Sequence, residues 1–195
     1  MIFTTQMLID KLQSYGDPAG KIMRMTKNSE LYTITRGLYE TDRTTPGQYL
    51  ACAIYSPSYL SFDYALSYYG MIPEAVYEYT SATFGKKKTK EYQNIFGRYT
   101  YRDVPKNCYP YGVVIIEENG YAYPIATPEK ALCDKLYSVS PVKSIRELNE
   151  LLFSDLRIDQ SEFEKLNRSA LFELCGYYHS NNMKYLRKLI GRKNG

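Results

Sequence analysis

The hydrophobic positions at the start of the chain recur at helical spacing. Leu8, Leu12 and Tyr15 lie three or four residues apart. Two threonines before them can cap the N-terminus of a helix, and Gly16 after them can end it. The pattern therefore predicts a first helix that runs to about Ser14.

A second helix is predicted directly after the first. Asp17 is a favoured N-cap residue, and Pro18 is a favoured first residue of a helix. Ile22 and Met25 form the inward-facing pair of this helix. Its polar residues fall largely on the other faces, toward solvent or a ligand, and they are Lys21, Arg24, Lys27 and Asn28.

Residues 30–40 change to a strand pattern. β-Branched and aromatic residues lie on both sides of Arg36-Gly37, which predicts a β-hairpin with an arginine at its tip. Two helices and such a hairpin are the layout of a small winged helix-turn-helix, whose second helix enters the major groove of DNA. We therefore expect a winged helix-turn-helix DNA-binding domain over residues 1–44. The same elements also fit a helical cap that binds nothing, and this stretch alone favours neither.

The rest of the chain, residues 45–195, predicts a larger domain with both helices and strands. Two short helices are expected over residues 46–54 and 61–70. Strand patterns follow over residues 76–83, 92–96, 98–103, 112–116 and 121–125. The last two flank an Asn-Gly turn, which is a strong hairpin signal.

The final part of the chain predicts helices. Thr127-Pro128-Glu129 opens one, with Thr as the N-cap and Glu in the first turn. Residues 142–190 are helical in pattern throughout, and the N-cap candidates are Ser140, Asp159, Ser169 and Ser180. The predicted fold class is thus α+β, an N-terminal winged helix-turn-helix followed by a larger mixed α/β C-terminal domain that ends in a helical bundle.

Composition argues against several classes of protein. The hydrophobic fraction of 44% and the charged fraction of 24% are ordinary for a globular domain, which disfavours a disordered chain or a coiled coil. No stretch approaches the roughly 18 apolar residues that a membrane-spanning helix needs. The first residues lack the basic and apolar regions of a signal peptide. We expect a cytoplasmic protein without membrane contact.

The cysteine and histidine content argues against a metal site and against most nucleophilic catalysis. The cysteines are scattered singly, so we expect reduced and mostly buried thiols at Cys52, Cys108, Cys133 and Cys175. His179 is the only histidine, and its polar neighbours indicate a surface loop. Any Ser-His-Asp or Cys-His scheme would have to use this residue. We expect no metal, no cofactor and no catalytic residue.

The net charge of +4 is modest, but the charges are segregated along the chain. Residues 86–106 contain seven basic and two acidic residues, and residues 184–193 contain five basic residues and no acid. Segregated positive charge suggests a surface for phosphates or for an acidic partner, although short charge runs are also common on solvated faces. As a second basic surface, on the larger domain, we nominate Lys86, Lys87, Lys88, Lys90, Arg98 and Arg102.

Three blocks of the sequence resemble one known family. They are TRGLY at residues 35–39, AIYSPSYLSFDYALSYYGMIPE at residues 53–74 and IATPEKALCDKLY at residues 125–137. In this order they are similar to the AbiEi family, the antitoxins of abortive-infection, type IV toxin–antitoxin systems. The resemblance extends from about residue 20 to residue 137. We interpret the two longer blocks, which are apolar and well capped, as packing signatures of the fold.

The resemblance implies an autoregulating repressor and antitoxin that is not an enzyme. Its winged helix would bind inverted repeats in the double-stranded operator DNA upstream of its own operon. Its C-terminal domain would counteract a nucleotidyltransferase-like toxin without forming a stable complex. By position, the resemblance assigns DNA contact to the residues that the helix and hairpin patterns also select, namely Lys21, Arg24, Lys27, Asn28 and Arg36.

Two other classes of function stay open. A metal-dependent nuclease needs carboxylates and a lysine around Mg²⁺, and the candidates are Glu117, Glu118, Glu129-Lys130 and Asp134-Lys135. A protein-interaction module without DNA binding would dock an acidic partner through the basic tail, residues 183–193. Met183, Leu186 and Ile190 form one stripe of that tail, a pattern that is also typical of a helix packed on a core.

Overall fold

The computed structural model describes residues 1–191, which form an α+β fold with nine α-helices and nine β-strands. In chain order the strands are β1 (Ile2–Thr4), β2 (Tyr32–Thr35), β3 (Leu38–Glu40), β4 (Tyr59–Leu60), β5 (Tyr79–Thr83), β6 (Lys90–Asn94), β7 (Gly97–Asp103), β8 (Val113–Glu118) and β9 (Tyr121–Ala126). The helices are α1 (Thr5–Lys11), α2 (Pro18–Lys27), α3 (Ala51–Ile54), α4 (Phe62–Tyr68), α5 (Pro128–Ser138), α6 (Ile145–Glu150), α7 (Gln160–Lys165), α8 (Arg168–Cys175) and α9 (Asn181–Gly191).

The described strands form two sheets. The first is antiparallel, with the strand order β1-β3-β2. The second has six strands in the order β6-β7-β5-β4-β9-β8. It is mixed, because β5 runs parallel to β7 and β4 runs parallel to β9, while its other neighbours are antiparallel. The predicted hairpins at Arg36-Gly37 and at the Asn-Gly turn are both confirmed.

The first sheet, α1 and α2 form an N-terminal unit with its own small core. Four buried side chains make this core, and they are Phe3, Leu8, Ile22 and Leu31. The sequence did not predict β1, whose three residues pair with β3 from the other end of the unit. The first helix also ends at Lys11 and not near Ser14, and Tyr15 is exposed. Strand β1 was missed because three residues are too few to show a strand pattern. Leu12 still packs against the small core, as the C-cap residue of α1.

The larger unit differs from its prediction mainly at the ends of short elements. The expected helix over residues 46–54 is a 3-10 turn (Gly47–Tyr49) followed by the four-residue α3. The strand expected from residue 76 begins only at Tyr79. The two-residue strand β4 was not predicted, because its hydrogen-bonding partners lie in β5 and β9 and not next to it in sequence.

The helical end of the larger unit is confirmed, with two of its predicted caps displaced. Asp159 caps α7 as expected, but Ser144 caps α6 in place of Ser140, and Asn167 caps α8 in place of Ser169. The apolar stripe of α9 is core, since Met183, Leu186 and Ile190 are all buried. The basic residues Arg192 and Lys193 of the predicted tail lie outside the described residues. Among residues 1–191, no helix combines the length and apolarity needed to span a membrane.

Three polar contacts join the N-terminal unit to the larger unit. The Met1 amino group donates to the Tyr121 hydroxyl at 2.6 Å. The Tyr121 hydroxyl donates to Glu40 Oε2 at 2.9 Å, and the Asn94 side-chain amide donates to the Ile34 carbonyl at 2.9 Å. The Ile34 side chain is itself part of the main core of the larger unit. The hairpin β2–β3 is therefore packed against the second sheet, while α1 and α2 belong to the small core.

Candidate nucleic-acid interface

Local chemistry fixes the start of α2. The Asp17 carboxylate accepts a hydrogen bond from the Gly20 backbone N–H at 2.8 Å, and Pro18 occupies the first turn. A Cβ atom added at Gly20 would lie 1.8 Å from Asp17 Oδ2. Glycine at this position thus leaves room for the capping carboxylate, which ties the helix start to the sequence Asp-Pro-Ala-Gly.

The inward face of α2 is confirmed, and its cations lie on the remaining surface. Ile22 is buried, and Met25 packs against the small core. Arg24, Lys27 and Asn28 are exposed, the last of these as the C-cap residue. Lys21 is half-buried at the edge of this face, with its ammonium 5.6 Å from the centroid of the Tyr15 ring. The four polar residues selected from the sequence therefore share the solvent-facing part of one helix.

Met23 is a further exposed residue of α2 that sequence reasoning did not select. Its side chain is 72% exposed, and at 100° per residue it falls on the outward side with Arg24 and Lys27. A large apolar side chain so exposed on a basic helix can contact the methyl group of a thymine in the major groove. The helical spacing in the sequence could have indicated that Met23 is exposed, because it lies opposite Ile22 and Met25 on the helical wheel.

The carboxylates near α2 neutralise little of its charge. No acidic residue occurs within Pro18–Lys27. Asp17 lies 3.8 Å from Arg24, but both side chains are more than half exposed, so this ion pair is weak. The outward face of α2 thus presents positive charge, and the Asp17 carboxylate at the start of the helix is already bonded to the Gly20 N–H.

Arg36 is exposed at the tip of the β2–β3 hairpin. Gly37 has a φ of +80°, which glycine adopts without strain, and its carbonyl accepts a hydrogen bond from the Thr5 N–H at 3.0 Å. This bond holds the hairpin tip against the start of α1. Eight residues separate Arg36 from the end of α2, and four of them form β2, which spans roughly 13 Å at 3.3 Å per residue. Arg36 therefore lies on a different element from the cations of α2.

The loop between β5 and β6 carries three of the cations nominated for the second basic surface. The backbone N–H groups of Lys86 and Lys87 donate to Asp103 Oδ2 at 2.8 and 2.7 Å, which anchors the loop. The Lys86 ammonium lies 4.9 Å from the centroid of the Tyr55 ring and is half-buried. Lys87 and Lys88 are exposed. Two backbone hydrogen bonds thus anchor the loop to Asp103, while the side chains of Lys87 and Lys88 are exposed.

Strand register divides the other three cations between two faces of the sheet. Lys90 pairs with Tyr101, so it shares a face with Tyr99 and Tyr101. Arg98 and Arg102 occupy the alternate positions of β7 and lie on the opposite face. Arg98 is also partly neutralised, at 3.0 Å from Glu91 and 3.5 Å from Glu78. The six residues therefore do not form one continuous surface.

The two longer family-like blocks meet in a buried polar cluster. Lys130 Nζ lies 3.1 Å from Asp134 Oδ1, and both side chains are fully buried in α5. The hydroxyls of Tyr59 and Ser61 donate to Asp134 Oδ2 at 2.8 and 2.7 Å. Lys130 donates to the Cys108 carbonyl at 3.0 Å and to Tyr178, whose hydroxyl donates in turn to Asp134. Residues from both blocks are thus cross-linked inside the core.

The contacts of this cluster stabilise the packing of the core. Burial and the nearby Asp134 carboxylate raise the pKa values of Tyr59 and Tyr178 well above the ordinary tyrosine value, so both remain hydrogen-bond donors. Every charged atom of the pair has partners, and neither side chain reaches solvent. The cluster therefore holds β4, α5 and the segment after α8 together and offers no surface to a substrate.

The carboxylates considered for a nuclease are engaged elsewhere or exposed at a turn. Glu129 accepts a hydrogen bond from the Asn167 N–H at 2.8 Å, and Asp134 belongs to the buried cluster. Glu117 and Glu118 are exposed at the end of β8. Within residues 1–191, no three His, Cys, Asp or Glu side chains converge in a way that could hold a metal ion.

Comparison with known proteins adds no assignment. No model of a known protein family matches this chain, and no curated protein matches it significantly.

Proposed function

We propose that this chain is a DNA-binding repressor of its own operon and the antitoxin of a type IV toxin–antitoxin system, acting in the cytoplasm without catalysing a reaction. Its N-terminal unit would serve as a winged helix, with α2 in the major groove and the β2–β3 hairpin as the wing. The family-like blocks at residues 35–39, 53–74 and 125–137 support the proposal, and so does the chemistry of the exposed surfaces.

The observation that carries the repressor half is the outward face of α2. Arg24, Lys27 and Asn28 are exposed on a helix that contains no acid and that packs on its own small core. Arg and Asn are the side chains that read guanine and adenine in the major groove, and lysine contacts phosphates. Met23 adds an apolar contact for a thymine methyl group. These residue types together fit duplex DNA better than they fit a purely structural helix.

The antitoxin half depends on the larger unit and on the family resemblance. The loop with Lys87 and Lys88, which Asp103 anchors through two backbone hydrogen bonds, is the part of the second basic surface that is exposed to a phosphate-bearing target. Arg98 contributes less, because Glu91 and Glu78 lie beside it. The loop would therefore counteract the toxin by meeting RNA or a nucleotide-bearing target, without a stable complex with the toxin.

A mobility-shift titration on the DNA upstream of the gene tests the repressor half. We expect a specific shift that survives unrelated competitor DNA and weakens steeply when the salt concentration is raised. Arg24→Glu should abolish the shift, whereas Lys143→Glu, the same charge change at an exposed residue of the larger unit, should leave it intact. Circular dichroism melting checks that both variants fold. Binding of Arg24→Glu at the wild-type level would reject α2 as the recognition helix.

A toxin-rescue assay in cells tests the antitoxin half. The chain is co-expressed with the nucleotidyltransferase-like product of the neighbouring gene, and growth is scored. Lys87→Gln combined with Lys88→Gln should lose rescue, while the matched pair Lys143→Gln and Lys165→Gln should retain it. Full rescue by the first pair would remove the loop from the antitoxin mechanism. Absence of toxicity from the neighbouring gene would reject the antitoxin half as a whole.

A further inference from the structure

A basic cleft lies between α8 and α9, away from the surfaces already considered. Its volume is about 490 Å³. Phe172 from α8, His179 from the connecting segment and three cations from α9 line it, the cations being Lys184, Arg187 and Lys188. We call this feature the α8–α9 cleft. Its volume lies within the range of roughly 300–1,000 Å³ that small-molecule sites occupy.

The three cations of the cleft project from one side of α9. Positions 184, 187 and 188 are spaced three and four residues apart, so their side chains are neighbours on the helix surface. The opposite side of α9 packs into the core through Met183 and Leu186. Within residues 1–191, none of the three cations forms an ion pair. Three like charges without ion-pair partners create a local positive potential that attracts anions.

The cleft also contains an exposed aromatic surface. The Arg187 guanidinium lies 4.0 Å from the centroid of the Phe172 ring, and Phe172 is 43% exposed. The stack places the guanidinium on the Phe172 ring, and the exposed part of the ring is apolar surface that lines the cleft. A nucleobase can pack on such a surface whatever its identity, because every base has a π-face. The cleft thus combines phosphate-binding charge with a base-stacking ring.

We propose that the α8–α9 cleft binds a nucleoside polyphosphate. Lys184, Arg187 and Lys188 bind the phosphates, with the guanidinium providing bidentate hydrogen bonds. The base packs against Phe172. A concave pocket with three close cations fits one nucleotide better than it fits the extended backbone of a duplex. This site is independent of α2 and of the proposed repressor role.

Isothermal titration of the full chain tests the proposal with four probes: ATP, GTP, inorganic triphosphate and a short single-stranded RNA. Both nucleotides should bind one site saturably and more tightly than inorganic triphosphate. Lys184→Glu and Arg187→Glu should each weaken nucleotide binding at least about tenfold, the loss that removal of one charge-assisted hydrogen bond gives. Lys106→Glu makes the same charge change at an exposed lysine outside the cleft and should bind as wild type.

Phe172→Ala separates base recognition from simple anion binding. It should reduce the affinity for both nucleotides to that for inorganic triphosphate and leave triphosphate binding unchanged. Equal affinity of the wild type for all three small probes would overturn the nucleotide assignment, as would saturable binding of the RNA alone. No saturable binding, or an equal loss in Lys106→Glu, would overturn the site itself. Thermal melting of each variant verifies that its fold is retained.

Discussion

Lys130 Nζ lies 3.1 Å from Asp134 Oδ1 one turn along α5, and neither side chain has exposed surface. Two charges removed from water are tolerated only when their remaining hydrogen-bonding positions are satisfied. Tyr59 and Ser61 meet that need for the carboxylate, and the Cys108 carbonyl meets it for the ammonium. The segments around residues 59 and 130 are therefore coupled, although about seventy residues separate them in sequence.

Removal of one partner of this pair should destabilise the fold strongly. In Asp134→Ala the Lys130 ammonium stays buried without its counter-charge, which costs about 3–5 kcal/mol of unfolding free energy. Urea unfolding followed by circular dichroism measures the loss. Arg146→Ala, in α6, breaks an exposed ion pair with Glu150 and should cost less than about 1 kcal/mol. Similar losses in the two variants would contradict the structural role of the buried pair.

The pH dependence of stability should report the junction at Glu40. Burial alone would raise the pKa of this carboxyl, but hydrogen bonds outweigh it and hold the pKa below the ordinary value of 4.5. The donors are the Met1 amino group, the Thr41 and Asp42 N–H groups and the Tyr121 hydroxyl.

A lowered pKa in the folded state stabilises the fold above 4.5, and this stabilisation is lost as the pH falls from 4.5 through the folded-state pKa. The wild type should therefore exceed Glu40→Gln in unfolding free energy near pH 7, and the difference should shrink below 4.5. Urea titrations at a series of pH values measure it. The exposed Glu117→Gln serves as the control and should track the wild type. A difference between wild type and Glu40→Gln that is the same at all pH values would show that Glu40 does not titrate with folding.

The hairpin tip should be sensitive to substitution at Gly37. Its φ of +80° disfavours any residue with a Cβ atom, and the added atom would also lie 3.4 Å from Thr5 Oγ1. Gly37→Ala should cost about 1 kcal/mol of unfolding free energy. Gly16→Ala, which has open space around its Cβ position, should be neutral or slightly stabilising. Thermal melting of the two variants measures the difference. An unchanged melting temperature for Gly37→Ala would mean that the turn adopts another backbone conformation without loss of stability.

The salt dependence of DNA binding should distinguish phosphate contacts from other cations. Lys27→Ala should lower the slope of log affinity against log salt concentration by about one unit, because one fewer phosphate is neutralised. Arg98→Ala should leave the slope unchanged, since Arg98 lies in the larger unit beside Glu91 and Glu78. Mobility-shift titrations at several salt concentrations give both slopes. If the slope changed for Arg98→Ala and not for Lys27→Ala, the DNA interface would lie on the second sheet and not on α2.

Several elements were predictable because their causes are local. Asp17 and Pro18 set the start of α2, and the Ile22–Met25 spacing sets its inward face. Likewise Gly37 marks the hairpin turn, and Thr127 caps α5. In each case the decisive interaction lies within about four residues, so a single sequence contains the whole of it. The exposed cations of α2 follow from the same helical geometry.

The tertiary structure decided what depends on distant partners. Strand β1 exists only because β3 offers it hydrogen bonds, and β4 only because β5 and β9 do. Register between β6 and β7 sends Lys90 to one face and Arg98 to the other, so a basic run in sequence is not one surface. Lys130 was a nuclease candidate in the sequence, but the structure buries it beside Asp134, where it can bind no metal or substrate.

The sequence by itself thus determined the starts of α2 and α5, the two hairpin turns and the basic face of α2, because backbone propensity and side-chain period act over a few residues. Only the tertiary structure decided which charges are paired, which are buried and which share a cleft. Lys184, Arg187 and Lys188 are an example, since their helical spacing is visible in the sequence but the facing Phe172 is not. Burial and ion pairing depend on contacts between segments far apart in the chain, and these contacts form only when the chain packs.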